Sequence, residues 1–210
     1  MFTGVSFPEA SVLPLLVAPF LAALPTAPPP DSLLRAIRYE FSVSAPPAAV
    51  WEALTTSAGL RTFLAPSAEV ELRPFGKFSI QFDPSRPGSS AEDNIVLGFQ
   101  PERMLSTTWN APPWFPAVRP LRTFLQFRLI PDAAGTRVLL VHTGFGSGGE
   151  WDGTYEYFTG AWTWVAAALQ HRFAEGAIDW RSPPDLLPRM RAIGGEAAVE
   201  WARRKRAAAP

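Results

Sequence analysis

Seven large apolar positions near the end of the chain, Trp151, Tyr155, Phe158, Trp162, Val165, Leu169 and Phe173, recur at steps of four, three, four, three, four and four. That spacing is one continuous face of an α-helix. A helix of ~23 residues is ~35 Å long, enough to cross a small sheet from edge to edge. Upstream the period changes to two. Thr123, Leu125, Phe127 and Leu129 alternate with Gln126 and Arg128, as in a strand with one face buried. Strand-like stretches are expected at 33–43, 68–72, 77–82, 95–99, 104–109, 123–130 and 137–143, with turn chemistry between them at Pro74-Phe75-Gly76, 84–88, Gln100-Pro101-Glu102 and Asp132-Ala133-Ala134-Gly135. Such short links join antiparallel hairpins rather than crossover units. After the first strand, Pro46 and Pro47 open a short helix with Val50, Trp51 and Leu54 on one face, and residues 55–63 form a second short helix after a break. The order predicts an α+β fold: a curved antiparallel sheet of six or seven strands wrapped around a long C-terminal helix, with two short helices after the first strand.

The two ends differ from this middle. Residues 1–31 hold seven of the 23 prolines, no Lys or Arg, and a 13-residue apolar run from Val12 to Leu24. The run is shorter than the ~20 residues a membrane-spanning helix needs, and Pro14 and Pro19 interrupt it. It fits a signal-peptide core with Ala27 near a cleavage point, although the usual positive charge before the core is missing. Export to the periplasm or exterior is the expectation, and a disordered leader on a cytoplasmic protein is the alternative. Residues 176–210 form a partly helical basic tail with seven Lys/Arg against four Asp/Glu, ending in Arg203-Arg204-Lys205-Arg206. Cations there complement the helix dipole, and contact with acidic lipid or a partner is the second reading. The folded domain is expected at 32–175. The outer face of strand 137–143 is also apolar, so the tail or a partner is expected to cover it.

Composition narrows the function. The 210 residues carry 19 Lys+Arg and 19 Asp+Glu, so a dedicated nucleic-acid binder, which needs a basic excess, is disfavoured. No cysteine is present, which removes disulfides, thiolate zinc sites and thiol nucleophiles. The 15 Phe, 8 Trp and 3 Tyr must either fill a large core or line a cavity.

The residues of the middle segment resemble a known family. They are Ala45-Pro46-Pro47-Ala48-Ala49-Val50-Trp51-Glu52-Ala53-Leu54, the pair around Phe99-Gln100-Pro101-Glu102-Arg103-Met104-Leu105 with Thr108-Trp109-Asn110, and the run Gly135-Thr136-Arg137-Val138. His142-Thr143-Gly144-Phe145, Glu150-Trp151 and the helix with Tyr155, Phe158 and Trp162 complete the set. In this order and spacing they resemble the SRPBCC superfamily of helix-grip domains, related to the birch pollen allergen and START domains. The narrower resemblance is to the bacterial branch named after the activator of the heat-shock-protein ATPase. It covers about residues 35–175. It implies an apolar cavity between sheet and C-terminal helix but no particular chemistry, since the superfamily includes carriers, receptors, cyclases and co-chaperone-like modules.

Catalytic constellations are few. His142 and His171 are the only histidines, no HxH or HExxH spacing exists, and neither a metal nor a cofactor is expected. His142 shares a strand face with Val138 and Leu140 and points inward, as a hydrogen-bonded core residue or as a general base. Glu150 opens the long helix, either as a dipole partner or as a carboxylate approaching His142 across the cavity mouth. The segment 144–149 enters a helix but lacks the lysine of a phosphate loop, and reads as a mobile lid. Trp51 and Phe63 read as plain core. Trp114 and Phe115, between Pro113 and Pro116, read as a gate over one end of the cavity.

The expectation is therefore a non-catalytic protein binding a small hydrophobic or aromatic molecule among Trp109, Asn110, Trp114, Phe127, His142, Trp151, Tyr155, Phe158 and Trp162, with Asn110, His142 and Tyr155 as orienting polar groups. One alternative is an enzyme using His142, helped by Glu150, as acid/base in the same cavity. Another is a chaperone-ATPase partner, as the family name suggests, which conflicts with export. No nucleic acid and no stable membrane span are expected, and the chain is expected to be a monomer or weak homodimer.

Overall fold

The computed structural model describes residues 35–207 apart from residue 87. The expected leader at 1–31 lies outside the described residues. Seven strands, β1 (Ile37–Val43), β2 (Ser67–Val70), β3 (Lys77–Gln81), β4 (Ala91–Gln100), β5 (Met104–Asn110), β6 (Arg122–Asp132) and β7 (Gly135–Thr143), form one sheet in the order β1-β7-β6-β5-β4-β3-β2. Every pairing is antiparallel. The first two strands occupy opposite edges, so the chain between them must cross the sheet. Helices α1 (Pro47–Thr55) and α2 (Ser57–Arg61) make that crossing. Pro47 sits in the first turn of α1, where its missing N–H costs nothing. Thr56 then turns the chain: it is extended, and its hydroxyl accepts from the Gly59 amide at the start of α2. The corner is so tight that a Cβ on Gly59 would lie 2.4 Å from the Glu52 carbonyl oxygen.

The sheet bends where register shifts, between Phe78 and Ile80 in β3 and between Val96 and Gly98 in β4. Bulges of this kind increase local twist and curve a sheet toward whatever packs on its concave side. Here that is α3 (Glu150–Ala174), which carries the predicted stripe. Glu150 and Asp152 occupy its first turn, where carboxylates meet the positive end of the dipole. Asp152 also pairs with Arg35 at 2.6 Å, joining the start of α3 to the start of β1. Phe158, Trp162, Val165 and Leu169 are buried against the sheet, as are Leu125, Phe127 and Leu129 of β6 and Val138 and Leu140 of β7. Phe63 is fully buried as expected, while Trp51 is half-buried and packs on Phe99, ring centroids 6.3 Å apart.

The tail is more tightly built into the fold than its composition suggested. Helix α4 (Leu187–Ala207) is two helical pieces meeting at Gly195, whose φ of 67° breaks the helix. It lies along the face of α3 turned away from the sheet. A Cβ on Gly160 of α3 would fall 2.2 Å from the Trp201 ring, and one on Gly194 2.6 Å from the Thr163 methyl. Gly160, Thr163 and Ala167, on the side of α3 away from the stripe, are buried as well, so α3 is covered on two sides. Of the two covers expected for the outer face of β7, the tail or a partner, the tail is not one: Leu139 and Val141 there remain half-buried, and α4 packs on α3 instead. The basic end folds back onto the chain, Arg204 near Glu156 at 3.5 Å and Arg206 near Asp185 at 3.2 Å. No helix among the described residues is long and apolar enough to cross a membrane.

Candidate functional site

The interior between sheet and α3 divides into a filled half and an open half. In the filled half, Trp162 Nε1–H donates to His142 Nδ1 at 2.8 Å. The indole nitrogen only donates, so Nδ1 is the bare nitrogen and the ring proton sits on Nε2. Nε2 then donates to the Thr123 hydroxyl at 2.6 Å, and that hydroxyl donates to the Trp109 carbonyl at 2.8 Å. His142 is fully buried, and burial pulls its pKa from 6.5 down to about 3, so it is neutral. Phe145 and Phe158 pack edge-on to the imidazole, with centroids at 4.5 and 4.8 Å.

This arrangement corrects two expectations. The Glu150 carboxylate accepts from the Ala117 amide at 2.9 Å and makes no hydrogen bond to His142, so the two are not an acid/base pair here. The segment 144–149 is pinned rather than free: Phe145 is 2% exposed and plugs the His142 end, and the Gly146 carbonyl accepts from Arg35.

The open half is a cavity of about 390 Å³. One wall is the end of β5 and the proline-rich segment after it, from Trp109 to Trp114. A second is α3 through Tyr157, Phe158, Ala161, Trp162 and Val165. The third is the β3–β4 turn with Phe82, Arg86 and Ser90. The floor is a set of contacting rings: Trp109 and Trp162 have centroids 5.1 Å apart, and Phe158 stacks on Trp162 with planes 18° apart. Trp114, 55% exposed, stands at the mouth and meets Tyr157 edge-on at 5.4 Å. Lys205 of α4 lies 5.4 Å from the Trp114 ring and 5.0 Å from the Tyr157 ring. Phe115 packs on Gly153, where a Cβ would lie 2.8 Å from its ring.

Five predicted residues, Trp109, Asn110, Trp114, Phe158 and Trp162, line this cavity. Four do not. Phe127 is buried in the sheet core in register with Leu105 and Leu140. His142 belongs to the filled half. Trp151 packs across Gly146. Tyr155 donates to the Ala36 carbonyl at 3.3 Å and carries the Arg35 guanidinium 4.4 Å above its ring, so it anchors β1. Strand alternation and the helical stripe say which residues face inward, but not which inward positions are closed off by neighbours.

Among the polar lining residues only Asn110 was predicted; Asp83, Arg86, Ser89 and Ser90 of the β3–β4 turn, Tyr157 and Arg119 also face the cavity. Burial pushes the Tyr157 phenol up to about 12. Tyr157, Ala161 and Val165 form a second row at steps of four beside the predicted stripe, a signal present in the sequence. Arg119 had no such signal. Its guanidinium donates to the carbonyls of Ala111, Gly88 and Ser90, the last two at 2.8 Å, and so ties the proline-rich segment to the β3–β4 turn. Burial lowers its pKa. No cluster of three His, Asp or Glu side chains that could hold a metal occurs among the described residues.

Comparison with known proteins agrees with this architecture. No functionally curated protein matches the sequence. Among solved structures, protein MLL2253 from Mesorhizobium loti is 25% identical with a TM-score of 0.55, covering 65% of this chain and 95% of that one. The Aha1 dimer from Colwellia psychrerythraea is 16% identical with a TM-score of 0.55, covering 68% and 98%. CalU16 from Micromonospora echinospora is 21% identical with a TM-score of 0.50, covering 80% and 85%. The model of the family described as activator of Hsp90 ATPase homolog 1-like protein matches residues 44–174, from the start of the first helical crossing to the end of α3, and the chain belongs to that family.

Proposed function

We propose that this domain is a non-catalytic binder of a small hydrophobic or aromatic molecule, held in the cavity between β5, the β3–β4 turn and α3. The observation that carries the reading is the cavity itself: about 390 Å³, floored by Trp109, Phe158 and Trp162 and opening beside Trp114. Small-molecule sites are concave, mostly apolar and typically ~300–1,000 Å³, with a few polar groups to set orientation. The acid/base alternative finds less support, because both ring nitrogens of His142 are bonded within the protein and Glu150 is spent on a backbone amide.

The test is uptake of the neutral fluorophore N-phenyl-1-naphthylamine by the full chain and by Ala161→Phe, which adds a ring to the α3 wall. Saturable one-to-one uptake that Ala161→Phe weakens at least tenfold, with thermal stability retained, is the expected result. Unsaturable uptake, or uptake that the added ring leaves unchanged, would remove the proposal. Mass spectrometry of protein purified natively would then look for the natural guest.

A further inference from the structure

Apolar walls hold a guest without choosing its orientation, so the polar groups facing the cavity decide what chemistry it must carry. Asn110, the last residue of β5, lines the cavity and is 4% exposed. Which way its amide points follows from its neighbours. Asn94 Nδ2 donates to the Ala91 carbonyl at 3.0 Å, and a carbonyl only accepts, so the Asn94 nitrogen is placed. The same nitrogen lies 3.1 Å from the Asn110 side chain, which must therefore present its oxygen there. Asn110 Nδ2 is left with both hydrogens and donates to no acceptor among the described residues. This nitrogen is not sealed in the protein, since only Thr107 Oγ1, Arg172 Nε and Trp201 Nε1 are enclosed without a partner among the described residues; it is open to the cavity, where water accepts from it until a guest with an acceptor of its own displaces that water.

The surroundings offer donors but few acceptors. The Ala111, Gly88 and Ser90 carbonyls at the mouth are each taken by Arg119. Asp83 is engaged with Arg86 and Ser85. The Tyr157 hydroxyl, on the α3 wall, makes no hydrogen bond among the described residues. Asn110 is also held in place, since its backbone is in register with Arg122 of β6 and its oxygen is tied to Asn94. Resting on the binding reading above, we infer that the guest is an aromatic molecule bearing a carbonyl-type oxygen, and that this oxygen accepts a hydrogen bond from Asn110 Nδ2. Aromatic ketones and quinones fit this description, whereas hydrocarbons and pure donors do not.

The experiment compares 2-acetylnaphthalene with its hydrocarbon isostere 2-isopropenylnaphthalene as competitors of N-phenyl-1-naphthylamine on the full chain. A ketone is better hydrated than an alkene, so the informative quantity is how the ratio of the two affinities changes with residue 110. Asn110→Leu is expected to shift that ratio against the ketone by about tenfold, which is about 1.4 kcal/mol. Asn110→Asp keeps the shape and the oxygen toward Asn94 but replaces the donor, so it is expected to shift the ratio in the same direction. It also serves if the leucine variant fails to fold. In the wild type, the Asn110 side-chain amide signal should move with the ketone and stay in place with the isostere. A ratio unchanged in a folded variant would overturn the inference while leaving the binding reading intact. Absence of any fluorophore uptake would overturn both.

Discussion

Trp162 Nε1–H donates to His142 Nδ1 at 2.8 Å, and this bond sets the tautomer of an imidazole that burial keeps neutral. With Nδ1 accepting and Nε2 donating to Thr123, an additional proton on His142 would have to displace the indole donor. The folded pKa of about 3 lies below the ordinary 6.5, so between these values the unfolded chain binds a proton that the folded chain does not. His142 therefore stabilises the fold fully above pH 6.5, and that stability is lost as pH falls from 6.5 toward 3, at ~1.4 kcal/mol per pH unit. By pH 4.5 the loss from this residue is about 3 kcal/mol. His142→Gln, which has no such proton to gain, should be less stable than wild type at pH 7, with the gap closing on acidification. Urea unfolding of both proteins at pH 7 and pH 4.5 measures the difference; a gap of constant size would contradict the assignment.

Arg119 joins two segments that are otherwise separate. Arg119→Ala removes three hydrogen bonds to backbone carbonyls, and because the guanidinium is partly solvated the expected cost is about 1–3 kcal/mol. Arg119→Lys should recover only part of it, since a point-charge ammonium cannot span three acceptors as the planar fork does. Thermal unfolding gives the stability, and limited proteolysis within 111–120 reports whether the proline-rich segment has come loose.

The contact between Gly160 and Trp201 makes the tail part of the domain. Ala at position 160 would gain ~0.8 kcal/mol of helix propensity in isolation, but its Cβ would collide with the indole. Net destabilisation of about 1–3 kcal/mol is expected from overpacking. The double variant Gly160→Ala/Trp201→Ala should relieve the clash and show a smaller effect of the alanine at 160. A thermal-shift cycle over the four proteins reads that coupling.

Trp114 stands at the mouth, more than half exposed, so its removal should cost the fold less than ~1 kcal/mol. Its loss should act on guest retention. Trp114→Ala is expected to raise the fluorophore dissociation rate severalfold in stopped-flow displacement with little change in melting temperature; an unchanged rate would show that the ring is no gate.

Several of these relationships had visible precursors in the amino-acid order. The steps of four and three from Trp151 to Phe173 identify α3 because a helix places those residues on one face whatever surrounds them. The alternation Thr123, Leu125, Phe127, Leu129 marks the buried face of β6 for the same local reason. Local period also shows that Trp109, Phe158 and Trp162 point inward. It cannot show that His142 and Phe145 close one half of the interior, because that depends on β7 and the loop after it meeting α3.

The chain order alone thus determined the elements, the sheet's antiparallel character and the inward set of aromatics, since these rest on backbone period, turn residues and short connections. Only the tertiary structure decided which aromatics fill space and which surround it. It also decided that Asn110 Nδ2 faces an opening, that Arg119 spans two segments, and that the basic tail covers the far side of α3. Each of these depends on groups distant in sequence meeting at hydrogen-bond or van der Waals distance, and no local pattern encodes such a meeting.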